Sequence, residues 1–135
     1  MVFLNVISST VFATNALAAY WAQELRYSMV SGFLMLTSWC YHWSDCNYLL
    51  SIIDKMAVYA LIAYGGFQMW KRKFWARHNL FMTLVGMISA NITFMLYVYG
   101  YYTKSFCFHP EFGYWYHALM HCFSSLGHHC ILLLH

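Results

Sequence analysis

Charge is what this sequence has least of. Seven Lys/Arg and four Asp/Glu make up 8% of 135 residues, where a soluble domain carries about 25%. So few ionic groups cannot cover a water-facing surface, which excludes an ordinary soluble domain. The one proline, Pro110, excludes a proline-rich linker, and neither an internal repeat nor a low-complexity tract divides the chain. No CxxC is present, so a zinc knuckle or ribbon of the soluble type is not indicated. The formal net charge is +3, but its cations form no stripe among polar residues; four of the seven fall within 71–77. A nucleic-acid partner is therefore not expected.

What the sequence does have is apolar length. It is 62% hydrophobic and 21% aromatic. Crossing a hydrocarbon core takes about 20 apolar residues in a helix. Five stretches meet or approach that length: 2–22, 27–43, 48–70, 79–102 and 112–134. The expected fold is all-α, a single transmembrane domain over 1–135 built as a bundle of about five membrane helices. Aromatic residues gather at the span ends, as interfacial belts do: Tyr20 and Trp21, Trp43, Trp70 and Trp75, Tyr101 and Tyr102, Trp115.

Orientation follows from counting Lys and Arg in short loops. Arg26, Lys71, Arg72, Lys73 and Arg77 follow the first and third spans, against Lys55 and Lys104 on the other side. The first set is expected in the cytosol, with a luminal or extracellular N-terminus and a cytosolic C-terminus. Ala16-Leu-Ala18 resembles a signal-peptide cleavage site. The missing basic n-region, and the reversed side of 71–77 that cleavage would produce, favour a retained helix. Asn91-Ile-Thr93 matches a glycosylation sequon but sits mid-span. Of the five cysteines, Cys40, Cys122 and Cys130 lie in apolar spans as free thiols. Cys46 and Cys107 share one face and could pair if that face is oxidising.

Ionisable groups inside a span are costly and usually mark function. The inventory is His42 at the end of the second span, Asp54 with Lys55 early in the third, and His117 and His121 early in the fifth. His128, His129 and His135 lie further along. Alternating helices bring the end of span two and the starts of spans three and five to one face. His42, Asp54, His117 and His121 then all lie within about 15 Å of it. His117 and His121 are an i,i+4 pair on one helix face, and Ser38 stands in the same relation to His42. Two such histidines with a third from another helix make the three-ligand arrangement of a catalytic zinc. Each feature has a blander reading: an interfacial histidine, a snorkelling Asp54–Lys55 pair, a packing serine. Their convergence on one face favours a shared site.

The segments TSWCYHW (37–43), IDKMAVYALIAYG (53–65) and YHALMHCFSSLGH (116–128) resemble helices two, three and last of the haemolysin III and progestin/adipoQ receptor families. The wider group is the CREST superfamily, which includes the alkaline ceramidases and shares SxxxH, a downstream Asp and a C-terminal HxxxH. That resemblance implies a seven-helix fold, here shortened to five, with Zn2+ held by His42, His117 and His121. Asp54 would be the general base or water-orienting group, and Ser38 a water or oxyanion partner. The chain departs from the families by two absent helices, by an N-terminus without the ceramidases' acidic segment, and by Ala118 where haemolysin III-type sequences carry Glu.

Three functions are compatible with this pattern. One is a zinc-dependent intramembrane hydrolase acting on a lipid amide or ester, with membrane lipids as partners. Another is a receptor-like, fusogenic or membrane-perturbing protein with a structural zinc. The third is a haem-binding membrane anchor. Homo-oligomerisation could replace the two absent helices.

Overall fold

The computed structural model describes residues 2–44, 47–103 and 113–134. Every α-element is helical and, among the described residues, there is no strand. In chain order the helices are α1 (Val2–Ser9), α2 (Val11–Trp21), α3 (Leu25–Trp43), α4 (Tyr48–Lys71), α5 (Leu80–Thr103) and α6 (Gly113–Leu132). A 3-10 turn, Arg77–Asn79, leads into α5.

α1 and α2 form one rod with a break at Thr10. Its cause is local, because three hydroxyls in a row turn back on the backbone. Ser8 and Ser9 donate to the Asn5 carbonyl at 3.1 and 2.6 Å, and Thr10 to the Ile7 carbonyl at 2.5 Å. Such back-bonding competes with the amide ladder and bends helices. The rod ends at Gln23, whose φ of 61 is left-handed. There Gln23 N–H reaches Tyr20 O and Glu24 N–H reaches Ala19 O, the pairing of a Schellman cap. α4 closes the same way around Lys73, φ 51, with Lys73 N–H on Trp70 O and Phe74 N–H on Met69 O. At its start the Asn47 side chain accepts from the amides of Leu49 and Leu50 at 3.0 and 3.3 Å, a side-chain N-cap.

The α1–α2 rod packs on α3 and α6, and α4 packs on the same two helices from the other side. α5 lies outside this group against α6. Their contact is close because its residues are small. A Cβ at Gly86 would come within 3.3 Å of Cys130 Cβ, and one at Gly127 within 3.6 Å of Ser89 Cβ. Small residues that let backbones approach are the usual membrane-helix contact.

Three helices are long and apolar enough to cross a membrane: Phe3–Trp21, Tyr48–Lys71 and Arg77–Tyr102. α3 and α6 are not among them, for an identifiable reason. α3 carries Ser31, Thr37, Ser38 and His42, and α6 carries His117, His121, Ser125 and His128, all of them buried. Polarity that lowers the hydropathy of these two helices is turned inward. The distribution is the reverse of a water-soluble domain's, in which large apolar side chains fill the centre. Here polar side chains outnumber apolar ones in the buried set of the described residues. Phe3, Trp21, Phe81 and Met95 are among many large apolar side chains left exposed.

Candidate metal centre

His42 is in the last turn of α3 and His117 in the second turn of α6, so the end of one helix meets the beginning of the other. Their Nε2 atoms lie 3.1 Å apart. One turn further along α6, the His121 ring centroid is 4.5 Å from that of His117 and 5.6 Å from that of His42. One ligand nitrogen from each of the three histidines lies within 4.8 Å of the others, and all three side chains are buried. This cluster could hold a metal ion.

The donor set fits such an ion, and the spacing of one pair does too. Tetrahedral zinc with bonds of about 2.0–2.1 Å separates its ligand nitrogens by about 3.3 Å, close to the 3.1 Å between His42 and His117. The third imidazole is prepared in the manner of a ligand. Ser8 Oγ lies 2.8 Å from His121 Nδ1, which leaves Nε2 as the nitrogen available to an ion. Metal-binding histidines commonly have the other ring nitrogen tied in this way, which fixes tautomer and ring orientation. Phe12 stands edge-on to the His121 ring at 5.6 Å and closes that side with apolar surface.

The two non-histidine candidates bond to other groups than the three histidines. Ser38 is buried, and its Oγ lies 3.1 Å from Ser9 Oγ. Thr37 Oγ1 lies 3.1 Å from Asp54 Oδ1 and donates to it. Asp54 thus meets α3 at the residue next to Ser38, and among the described residues no carboxylate joins the three nitrogens.

No family model, curated protein or solved structure matches this chain. The site therefore stands on its own geometry.

That geometry includes residues that sequence reading passed over. Ser8 and Ser9 tie the first helix to His121 and Ser38, although a hydroxyl in an apolar span reads as a packing residue. A signal was present: Asn5, Ser8, Phe12, Asn15 and Ala19 follow a three-and-four spacing, and all are buried, so the polar members lie on the inward stripe. His128 also has a partner, with its Nδ1 2.5 Å from Tyr27 Oη. His129 Nε2 lies 2.9 Å from the Thr14 hydroxyl. Cys40, Cys122 and Cys130 are free thiols. Cys46, Cys107, Lys104 and His135 lie outside the described residues.

Proposed function

We propose that this chain is an integral membrane zinc protein that hydrolyses a lipid amide or ester. The observation that carries the proposal is the buried His42–His117–His121 cluster, set in a bundle whose exterior is apolar. Large exposed apolar surface on a helical bundle fits a lipid environment, and five crossing helices would place the cluster toward the luminal or extracellular end. Lys71, Arg72, Lys73 and Arg77 would then face the cytosol.

His42, His117 and His121 would hold the zinc, which when bound supplies a Lewis acid and an activated water. The rest falls to the chain's own groups. Ser8 keeps His121 in one tautomer and orientation. Ser9 gives its proton to the Asn5 carbonyl and accepts from Ser38 at 3.1 Å, which fixes the Ser38 oxygen as an acceptor for a hydrogen bond from water. Thr37 occupies Oδ1 of Asp54, so Oδ2 is the oxygen that takes a proton and returns it to the leaving group. The set Ser38, His42, Asp54, His117 and His121 is the one the CREST resemblance nominates, and membership of that superfamily is part of this proposal.

A non-catalytic zinc site is the second reading. It is favoured by one observation, the engagement of Asp54 with Thr37 rather than with the histidine cluster. A haem is less compatible, since haem iron would take at most two protein ligands, whereas three buried histidines gather here. The test is turnover of labelled ceramides and fatty-acyl esters by zinc-loaded protein in detergent. Hydrolysis that Asp54→Asn abolishes while zinc content stays constant is expected. A zinc-loaded wild type that cleaves none of these lipids would overturn the hydrolase reading in favour of the structural one.

A further inference from the structure

α5 lies in the most apolar of the three spanning stretches, and one side chain on it does not suit hydrocarbon. Asn91 stands near the middle of the helix, about 17 Å from either end, and it is exposed. The other carboxamides described inside α-helices, Asn5, Asn15 and Gln68, are buried, while Gln23 and Asn47 lie at helix ends. Asn91 Nδ2 donates to the Met87 carbonyl of its own helix at 2.8 Å. Among the described residues, no group takes its second amide proton or donates to its Oδ1. Hydrocarbon supplies neither, and an amide left without partners there is costly.

The residues around Asn91 repeat every seven. Leu84, Asn91 and Val98 form one set and Met87, Phe94 and Tyr101 the other, the a and d positions of a two-helix seam. Leu84, Met87, Phe94 and Tyr101 are all exposed, so the seam lies open along about five turns. Packing inside the chain uses the other side of α5. Gly86 and Ser89 lie against Cys130 and Gly127, and the Tyr99 ring is 5.0 Å from that of Tyr116. At about 100° per residue, these three contacts point away from the a and d positions.

Two copies inserted the same way in one membrane are related by a two-fold axis along the membrane normal. Each residue near that axis meets its own counterpart at equal depth. A carboxamide both donates and accepts, so Asn91 is its own complement, whereas an acyl chain offers it nothing. We propose that two copies of this chain pair in parallel through α5, with Asn91 hydrogen-bonded to the partner's Asn91 at the centre of the seam. The seven-residue period gives the left-handed crossing of about 20° that is usual between membrane helices. The single polar a position fixes the register, because a slip of one turn sets each carboxamide against apolar side chains. Leu84 and Met87 toward one end, and Phe94, Val98 and Tyr101 toward the other, supply the packing.

The pairing rests on the reading that the bundle spans a membrane, and the test separates the two ideas. Flotation with phosphatidylcholine vesicles reports insertion, and sedimentation equilibrium in a density-matched detergent, over a dilution series, reports mass. Wild type should sediment as two chains and dissociate on dilution. Asn91→Leu, which removes the carboxamide from a lipid-facing position, should raise the dimer dissociation constant about tenfold with helicity and flotation unchanged. Phe94→Ala, one seam position along, should shift it in the same direction. Inserted wild type that sediments as one chain at every dilution leaves lipid or another protein on this face and overturns the pairing while sparing the membrane reading. So does Asn91→Leu that pairs as tightly as wild type. Protein that fails to float with the vesicles overturns both.

Discussion

Ser8→Ala removes one oxygen, and its consequence can be worked from the site. Ser8 Oγ sits 2.8 Å from His121 Nδ1, and both residues are buried, so no solvent replaces the lost partner. Leaving a buried polar group unpaired costs about 1–3 kcal/mol. Because 1.4 kcal/mol is a factor of ten in affinity, and outer partners of ligating histidines are typically worth about 10–100-fold, the zinc Kd should rise by about 10–100-fold. The helix should survive, since the remaining Ser9 hydroxyl still reaches the Asn5 carbonyl. A competition titration against a chromophoric chelator, on protein in detergent, measures the change directly. Thr10→Ala is the control, because its exposed hydroxyl serves only the Ile7 carbonyl and its loss should leave zinc affinity unmoved. If Ser8→Ala binds zinc within a factor of about two of wild type, His121 is not held for a metal by this contact and the reasoning fails.

Other outcomes follow from the same contacts. Gly65→Ala places a methyl 3.0 Å from His128 Cε1 and 3.3 Å from Ile131 Cδ1, which should push α4 from α6 and destabilise the bundle by about 1–3 kcal/mol, read as a lower thermal midpoint. Arg72→Gln loses charged hydrogen bonds to the carbonyls of Leu132 and Leu134 and to Glu24. It should destabilise by about 3 kcal/mol and speed hydrogen exchange in the last turn of α6 ahead of the rest of the bundle. Asp54→Asn should retain zinc while losing any lipid hydrolysis, measured as released fatty acid.

Much of the helical layout was legible because lipid-length apolar runs are hard to mistake. Long apolar windows mark the rod, α4 and α5 directly. α3 and α6 fall short of that standard because they carry the polar side chains of the interior, so as apolar stretches they only approached the spanning length. Helix parity explains why His42, His117 and His121 could be brought together on paper: a histidine ending one helix and an i,i+4 pair opening another meet if the helices alternate. What could not be read was anything the first helix does. Ser8 and Ser9 touch His121 and Ser38 across more than a hundred and about thirty residues respectively, and a serine in an apolar span looks the same whether it packs or bonds. The Glu24–Arg72 link to the end of α6 was hidden for the same reason. Local spacing places a side chain on a face, while its partner is chosen by the packing of distant segments.

The central claim is that His42, His117 and His121 together bind one metal ion. It is tested most directly by elemental analysis of protein purified without added chelator, alongside His117→Ala/His121→Ala. The account predicts about one zinc per chain in wild type and loss of nearly all of it in the double variant, with helicity retained. Wild-type protein that stays metal-free after exposure to zinc, or a double variant that keeps its zinc, would contradict it.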